Sequence, residues 1–126
     1  MDRSEEDPSR WTASWGGSTK INFAVERDGS VKITWMHKSD DHPIYSGGQM
    51  ITDALRRAKI LRPGKISIVN ITHRTTTTQL QNGIPTDKTA LGTTLRNAAD
   101  ELDAKIEGWE SEAAPYPWIR ISLSYP

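Results

Sequence analysis

The sequence predicts an α/β (α+β) fold: a single domain with a mixed sheet of four to five strands and helices packed on the sheet. Three observations lead to this prediction. Apolar and polar residues alternate in residues 20–36, as they do in half-buried strands. Apolar residues recur at helical spacing in residues 48–61 and 87–107. The chain has 126 residues, which is a usual length for one domain.

The first predicted element is a β-hairpin. Residues 20–25 and 31–36 each alternate between apolar and polar side chains. Asp28 and Gly29 stand between the two runs, and this pair is typical of a tight hairpin turn because glycine tolerates positive φ. We expect residues 1–18, which are acidic and then contain Ser, Gly and Trp, to be weakly ordered, and residues 19–126 to form the domain.

Helices and strands are expected to alternate after the hairpin. A helix over residues 48–61 follows Ser46, a suitable N-cap, and ends before Pro63. Residues 65–71 read as a strand that is apolar on both faces, which suits the centre of a sheet. A second helix over 87–107 and a last strand complete the order β-β-α-β-α-β. Since β–α–β crossovers join parallel strands, we expect two or three strands to run roughly parallel.

Composition excludes several classes of function. The 16 Lys and Arg residues balance the 16 Asp and Glu residues, so no net charge draws the chain towards polyanions or membranes. Cysteine is absent, which excludes disulfides, thiolate nucleophiles and Cys-ligated metal centres. No apolar run approaches the roughly 18 residues of a membrane span, and the acidic start is unlike a signal peptide. We expect no membrane partner and a cytoplasmic site of action, reached either directly or by delivery within a longer secreted protein.

The charges are unevenly distributed along the chain. Residues 54–74 contain six basic residues and no acid, whereas residues 97–112 are strongly acidic. Both segments are consistent with solvated helix faces. The alternative is a basic patch for phosphate groups on one side of the molecule and an acidic face on the other.

Residues 70–83, NITHRTTTTQLQNG, carry the strongest indication of a site. The predicted central strand ends just before His73 and Arg74, and α/β sheets hold ligands at the carboxyl ends of their strands. His37 follows the second predicted strand in the same way. The alternative is an ordinary polar loop, in which the threonines extend the strand or form an exposed flap because β-branched residues favour extended backbone.

The strand order resembles the cytidine-deaminase scaffold, which also places a hairpin before alternating helices and strands. The stretches that match its two zinc motifs are Ser46-Gly47-Gly48-Gln49 and Pro85-Thr86-Asp87-Lys88-Thr89. Neither contains the zinc ligands or the glutamate of that family, so the resemblance implies a scaffold that is inactive or repurposed. The compact, cysteine-free chain ending on RISLSYP also resembles the C-terminal toxin domains of bacterial polymorphic toxins.

The histidines and arginines suit metal-independent RNA cleavage, which needs a proton donor, a proton acceptor and a cation for the phosphorane charge. His73 is the candidate acid or base, and Arg74 and Arg120 are the candidate phosphate ligands. Further candidate contacts to the substrate are Thr75, Thr76, Thr78, Lys88 and His37. This chemistry requires no metal and no cofactor.

Two other motifs have simpler explanations. Asp40, Asp41 and His42 are potential ligands for a divalent cation, but adjacent residues rarely converge on one ion, so a solvated loop is the simpler interpretation. Gly47 and Gly48 precede a helix without the lysine of a P-loop, and a bend into the helix explains them.

Two hypotheses for function follow from the sequence. The first is a small metal-independent enzyme of bacterial toxin type that acts on RNA or DNA, most simply by RNA cleavage, with a cognate immunity protein as partner. The second is a non-catalytic binding module, either an inactive deaminase-like domain or an immunity-type protein that neutralises a toxin. The balanced charge and the acidic segment 97–112 favour the second hypothesis, and the polar residues at strand ends favour the first.

Overall fold

The computed structural model describes residues 2–16, 18–38 and 46–126. In these ranges the chain forms seven strands and three α-helices, with a short 3-10 helix at Thr86–Lys88. The strands are β1 (Asp2–Arg3), β2 (Arg10–Ser14), β3 (Lys20–Val25), β4 (Val31–His37), β5 (Lys65–Ile68), β6 (Lys105–Glu112) and β7 (Trp118–Ser124). The helices are α1 (Gly47–Arg57), α2 (Arg74–Gln81) and α3 (Ala90–Glu101).

All these strands belong to one mixed sheet, in the order β1-β2-β3-β4-β5-β7-β6. Strands β1 to β4 form an antiparallel meander, α1 crosses from β4 to the parallel β5, and β7 is antiparallel to both of its neighbours. The predicted sheet of four to five strands in the order β-β-α-β-α-β is therefore wrong, because the described residues form an α+β domain with seven strands and three helices. Among the strands of the described residues, only β4 and β5 run parallel to each other.

Three strands were not predicted, and two of them precede the expected start of the domain. β2 pairs with β3 along its whole length, and its Ala13 side chain is fully buried. The ring of Trp11 stacks on Phe23 across this pair. Within the N-terminal segment, residues 10–14 thus pair in the sheet and pack against its core, and β1 adds a short outer strand.

The third missed strand, β6, overlaps the predicted end of the helix over 87–107. α3 ends at Glu101 with Leu102 as its C-cap, and Asp103 adopts a φ of 55° just beyond it. A residue in this left-handed conformation ends a helix, because it turns the chain away from the helix axis. Ile106 fitted the apolar stripe of the predicted helix. In the structure it is instead the second residue of β6 and pairs with Leu123 of β7.

α2 lies in the polar stretch where we expected a loop or an extended flap. Threonine favours strands, but Thr76 and Leu80 lie one turn apart and are both buried. The Thr77 hydroxyl donates to the carbonyl oxygen of Arg74 at 3.0 Å, within the first turn. Burial against the rest of the domain therefore outweighs the intrinsic preference of the threonine run.

The helices and one face of the sheet enclose a single hydrophobic core. On β5, Ile66 and Ile68 belong to the core, whereas Ser67 between them belongs to the opposite face. β7 repeats the pattern around Arg120, which pairs with Ser67. We call this opposite face, which carries Ser67 and Arg120, the open face. None of the helices in the described ranges is both long and apolar enough to span a membrane.

Candidate functional site

His73 and Arg74 lie at the start of α2, where His73 is the N-cap residue. The His73 Nδ1 and Thr76 Oγ1 atoms share a hydrogen bond of 2.9 Å. Both His73 and Arg74 are exposed. Both candidates are therefore accessible to a ligand, and the imidazole of His73 is held through Nδ1.

The threonines of α2 have different roles. Thr76 is fully buried, and its hydroxyl oxygen accepts a hydrogen bond from the backbone N–H of Leu91 at 3.2 Å. This bond ties α2 to the first turn of α3. Thr75 and Thr78 are exposed. Only these two of the three predicted threonine contacts are accessible to a ligand, and Thr76 is a structural residue.

A crevice opens where the parallel strands β4 and β5 separate. Their pairing stops at Ile33 and Ile68, and the two chains then diverge. The space between them has a volume of about 200 Å³ and includes Trp35 and His73 in its lining. It lies at the carboxyl ends of parallel strands, the position at which α/β sheets bind ligands. We call this space the crevice.

His37 lies at the end of β4, close to the crevice. Its ring stacks on that of Trp35 with centroids 5.8 Å apart and planes 22° apart. Trp35 in turn lines the crevice together with His73. Both predicted site histidines are therefore linked to the crevice, His73 through its lining and His37 through a stacked tryptophan.

Arg120 is in a different place, on the open face. Its Nε donates to the Ser67 hydroxyl at 3.0 Å, and its guanidinium lies over the ring of Trp118 at 4.9 Å. One of its terminal nitrogens is 4.0 Å from Glu110. Lys88 is exposed on the 3-10 helix, and neither residue is among those lining the crevice. The structure thus divides the predicted site residues among separate surfaces.

The open face has its own cleft beside Arg120, with a volume of about 590 Å³. Four cationic side chains line this cleft: Arg27, Lys32, Lys65 and Arg120. Ser67 lies at its base and is almost fully buried, under the Arg120 side chain. The concentration of cations makes this cleft suited to an anion.

Two carboxylates partly offset the cations of the cleft. Glu26 forms an ion pair with Lys32, with 3.2 Å between Nζ and Oε1. The backbone N–H of Ser30 donates to Asp28 at 2.9 Å, and this bond, with a smaller contribution from the Lys65 charge, lowers the pKa of Asp28. Since these carboxylates are fewer than the four cations, the lining keeps an excess of positive charge.

Sequence reasoning missed Lys32 and Ser67 as parts of a site, and it included Lys65 only as one of the basic residues of 54–74. The alternation of β4 did place Lys32 on the polar side of its strand. However, Lys32 pairs with Ser67, and Ser67 with Arg120, through strand neighbours that are distant in sequence. Only the register of the sheet brings these residues together.

The possible metal ligands of the sequence lie outside the described residues, since Asp40, Asp41 and His42 are not among them. Within the part of the chain that the structure describes, no three His, Asp or Glu side chains are grouped as a metal site would need. The chain as a whole matches no protein-family model, and no curated protein or solved structure is significantly similar to it.

Proposed function

We propose that the chain is a binding module for single-stranded nucleic acid and that the open face is its binding surface. The observation that carries the proposal is a row of cations across neighbouring strands. Arg10 pairs with Ala24, which pairs with Lys32, and the row continues through Ser67 to Arg120, beyond which Glu110 of β6 is its next member. Cross-strand partners point to the same side of a sheet, so these cations share one face.

The length of this row favours a polymer over a small anion. From β2 to β7 the row crosses four strand spacings, which is about 19 Å at about 4.8 Å each. Lys65 lies two residues from Ser67 and adds a further cation to the cleft. We call Arg10, Lys32, Lys65 and Arg120 the basic row. A phosphate backbone laid along the basic row meets a cation at several successive strands.

An exposed tryptophan beside the basic row favours a single strand over a duplex as the ligand. Trp35 is 45% exposed. It pairs with Asn22, which in turn pairs with Thr12, two residues along β2 from Arg10. Trp35 therefore lies beside the basic row, on the same face of the sheet. Proteins that hold single strands combine a cationic surface with aromatic rings on which unpaired bases stack. In a duplex the faces of the bases are already stacked, so an exposed tryptophan has less to contact.

The test is a binding titration with a fluorescein-labelled single-stranded RNA of 12 nucleotides at increasing salt. We expect measurable binding at low salt that weakens as salt is raised, because cation–phosphate contacts release counterions. Arg120→Gln should weaken binding about tenfold, since it removes the cation at the β7 end of the basic row. Arg56→Gln, an exposed change on α1, is the matched control and should have no comparable effect. Equal losses in both variants would contradict the open face as the binding surface.

RNA cleavage by an enzyme of toxin type is the second candidate, and one observation favours it. His73 lines the crevice, and His37 stacks on a tryptophan of the same lining, which brings two imidazoles to one end of the sheet. Two histidines near neutral pH can supply the acid and the base of ribonuclease chemistry.

Cleavage is tested with the same RNA, followed by gel electrophoresis after prolonged incubation. On this second candidate, wild-type protein should produce fragments, and His73→Ala should reduce their rate of formation at least about a hundredfold. The binding proposal alone predicts intact RNA with both proteins. Fragments produced equally by wild type and His73→Ala would exclude His73 as the acid or base.

A further inference from the structure

The crevice differs in chemistry from the open-face cleft. Its lining is mainly apolar, with Trp35, Met36, Ile68, Val69, Ile71 and Leu91 among its residues. No lysine or arginine is among the lining residues that the structure describes. An apolar recess beside a cationic surface suits the uncharged part of a ligand whose charged part lies elsewhere.

One wall of the crevice offers a flat aromatic surface. Trp35 remains 45% exposed, although most large apolar side chains of this domain are in the core. Its ring lies nearly parallel to that of His37, at 5.8 Å between centroids. Such a pair holds the indole in a fixed orientation, and a planar ligand can stack on its exposed surface.

Polar groups stand among the apolar ones, as recognition of a heterocycle requires. Asn70 provides a carboxamide, Thr72 a hydroxyl and His73 an imidazole. Because Nδ1 of His73 is bonded to Thr76, Nε2 is the ring nitrogen left for a ligand. Asn70 also has a φ of 51°, a left-handed conformation that asparagine tolerates better than most residues other than glycine.

The size of the crevice limits what it can hold. Its volume of about 200 Å³ is below the roughly 300–1,000 Å³ of pockets for drug-sized molecules. A single ring system with its exocyclic groups fits this volume better than a whole nucleotide or a peptide side-chain cluster.

We infer that the crevice binds one unstacked nucleobase of the bound strand, between the Trp35 ring and the polar groups of Asn70, Thr72 and His73. This inference rests on the proposed function, because the open face supplies the strand and the crevice takes one of its bases. The base edge has donors and acceptors that match the carboxamide and the imidazole, whereas its face matches the indole.

The test uses free adenosine and cytidine, which have a base but no phosphate. Each nucleoside is titrated into the isotope-labelled full chain and followed by NMR. We expect saturable shifts at the amides of residues 69–73 and at the Trp35 indole N–H. Trp35→Leu should weaken nucleoside binding about tenfold or more, because it removes the stacking surface. Tyr116→Leu is the matched control, since Tyr116 is 73% exposed and is not part of the crevice lining.

A second variant guards against a general effect of Trp35→Leu on folding. Asn70→Gly removes the carboxamide but accepts the same positive φ, so the backbone of the crevice should persist. Nucleoside binding should weaken severalfold in this variant while the rest of the spectrum is unchanged. Binding equal to wild type in both Trp35→Leu and Asn70→Gly would overturn the inference.

The outcomes separate the crevice from the open face. If RNA binds with its Arg120 dependence but neither nucleoside shifts the crevice resonances, the base site is wrong and the proposed function stands. If the nucleosides bind in the crevice but the RNA strand does not bind, the base site stands as a nucleoside pocket and the proposed function fails.

Discussion

Gly92→Ala is expected to destabilise the domain by about 3 kcal/mol, the upper end of the usual cost of overpacking. Gly92 is in the first turn of α3, directly beside the 3-10 helix. A Cβ added there would lie 2.8 Å from the Thr89 hydroxyl oxygen and far inside contact distance of the carbonyl oxygen of Thr86. The clash is severe because its main partner is backbone, which cannot rotate away as a flexible side chain can.

The atoms around Gly92 are held by a compact set of hydrogen bonds. The Thr89 hydroxyl donates to the Thr86 carbonyl oxygen at 2.7 Å and accepts from the Gly92 N–H at 3.0 Å. Moving the Thr86 carbonyl away from a new methyl group would break the first of these bonds and disturb the N-cap of α3. The loss should exceed the gain of up to about 1 kcal/mol that alanine brings to a helix over glycine.

Urea unfolding followed by circular dichroism measures this prediction. Gly64→Ala is the matched control, because nothing lies within 4 Å of a Cβ at Gly64 and its φ is not positive. We expect Gly64→Ala to change the free energy of unfolding by less than about 1 kcal/mol. A stability of Gly92→Ala equal to that of the control would show that the 3-10 helix can move away at little cost.

The elements predicted well are those whose causes are local. The β3–β4 hairpin depends on an alternating pattern and on Gly29, which has a φ of 85°. α1 begins at a capping box in which Ser46 and Gln49 exchange hydrogen bonds, and its apolar stripe is regular. Both causes lie within a few residues of each other, so they can be read from the sequence.

The elements predicted badly depend on partners that are distant in sequence. α2 forms against the strand preference of its threonines, because Thr76 is buried and bonded to Leu91. β6 has apolar residues at Ile106 and Trp109, and this spacing of three also fits a helix face. A register irregularity between Ile106 and Gly108 produces that spacing within a strand, and nothing local indicates it.

The candidate site was also predicted in part and missed in part. The location of His73 beyond the end of a central strand followed from strand order, and the crevice lies there. The basic row was not predictable, because the sequence concentrates its basic residues in 54–74, whereas Lys32 and Arg120 are isolated in the chain. Their proximity is a consequence of sheet register, which depends on which strands become neighbours.

The largest expected effect on function is that of the triple variant Lys32→Gln, Lys65→Gln and Arg120→Gln. We expect it to bind the single-stranded RNA about a hundredfold more weakly than wild type at 50 mM salt, since three cation–phosphate contacts are lost together. The plot of log affinity against log salt should also become shallower by about 2, because each contact to a single strand contributes about 0.7 to the slope. All three side chains are at least partly exposed. The bonds lost are those of Lys32 to Glu26 and of Arg120 to Ser67 and Glu110, so folding should be retained.

A second triple variant with the same charge change separates location from net charge. Arg56→Gln, Lys59→Gln and Arg62→Gln remove three exposed cations from the basic segment that the sequence itself indicates. If charge alone attracted the RNA, both triple variants would lose affinity and slope equally, because each lowers the net charge by three. If instead the strand lies along the basic row, only the first variant should lose the slope. The reverse result, with loss confined to the second variant, would move the binding surface from the open face to the end of α1.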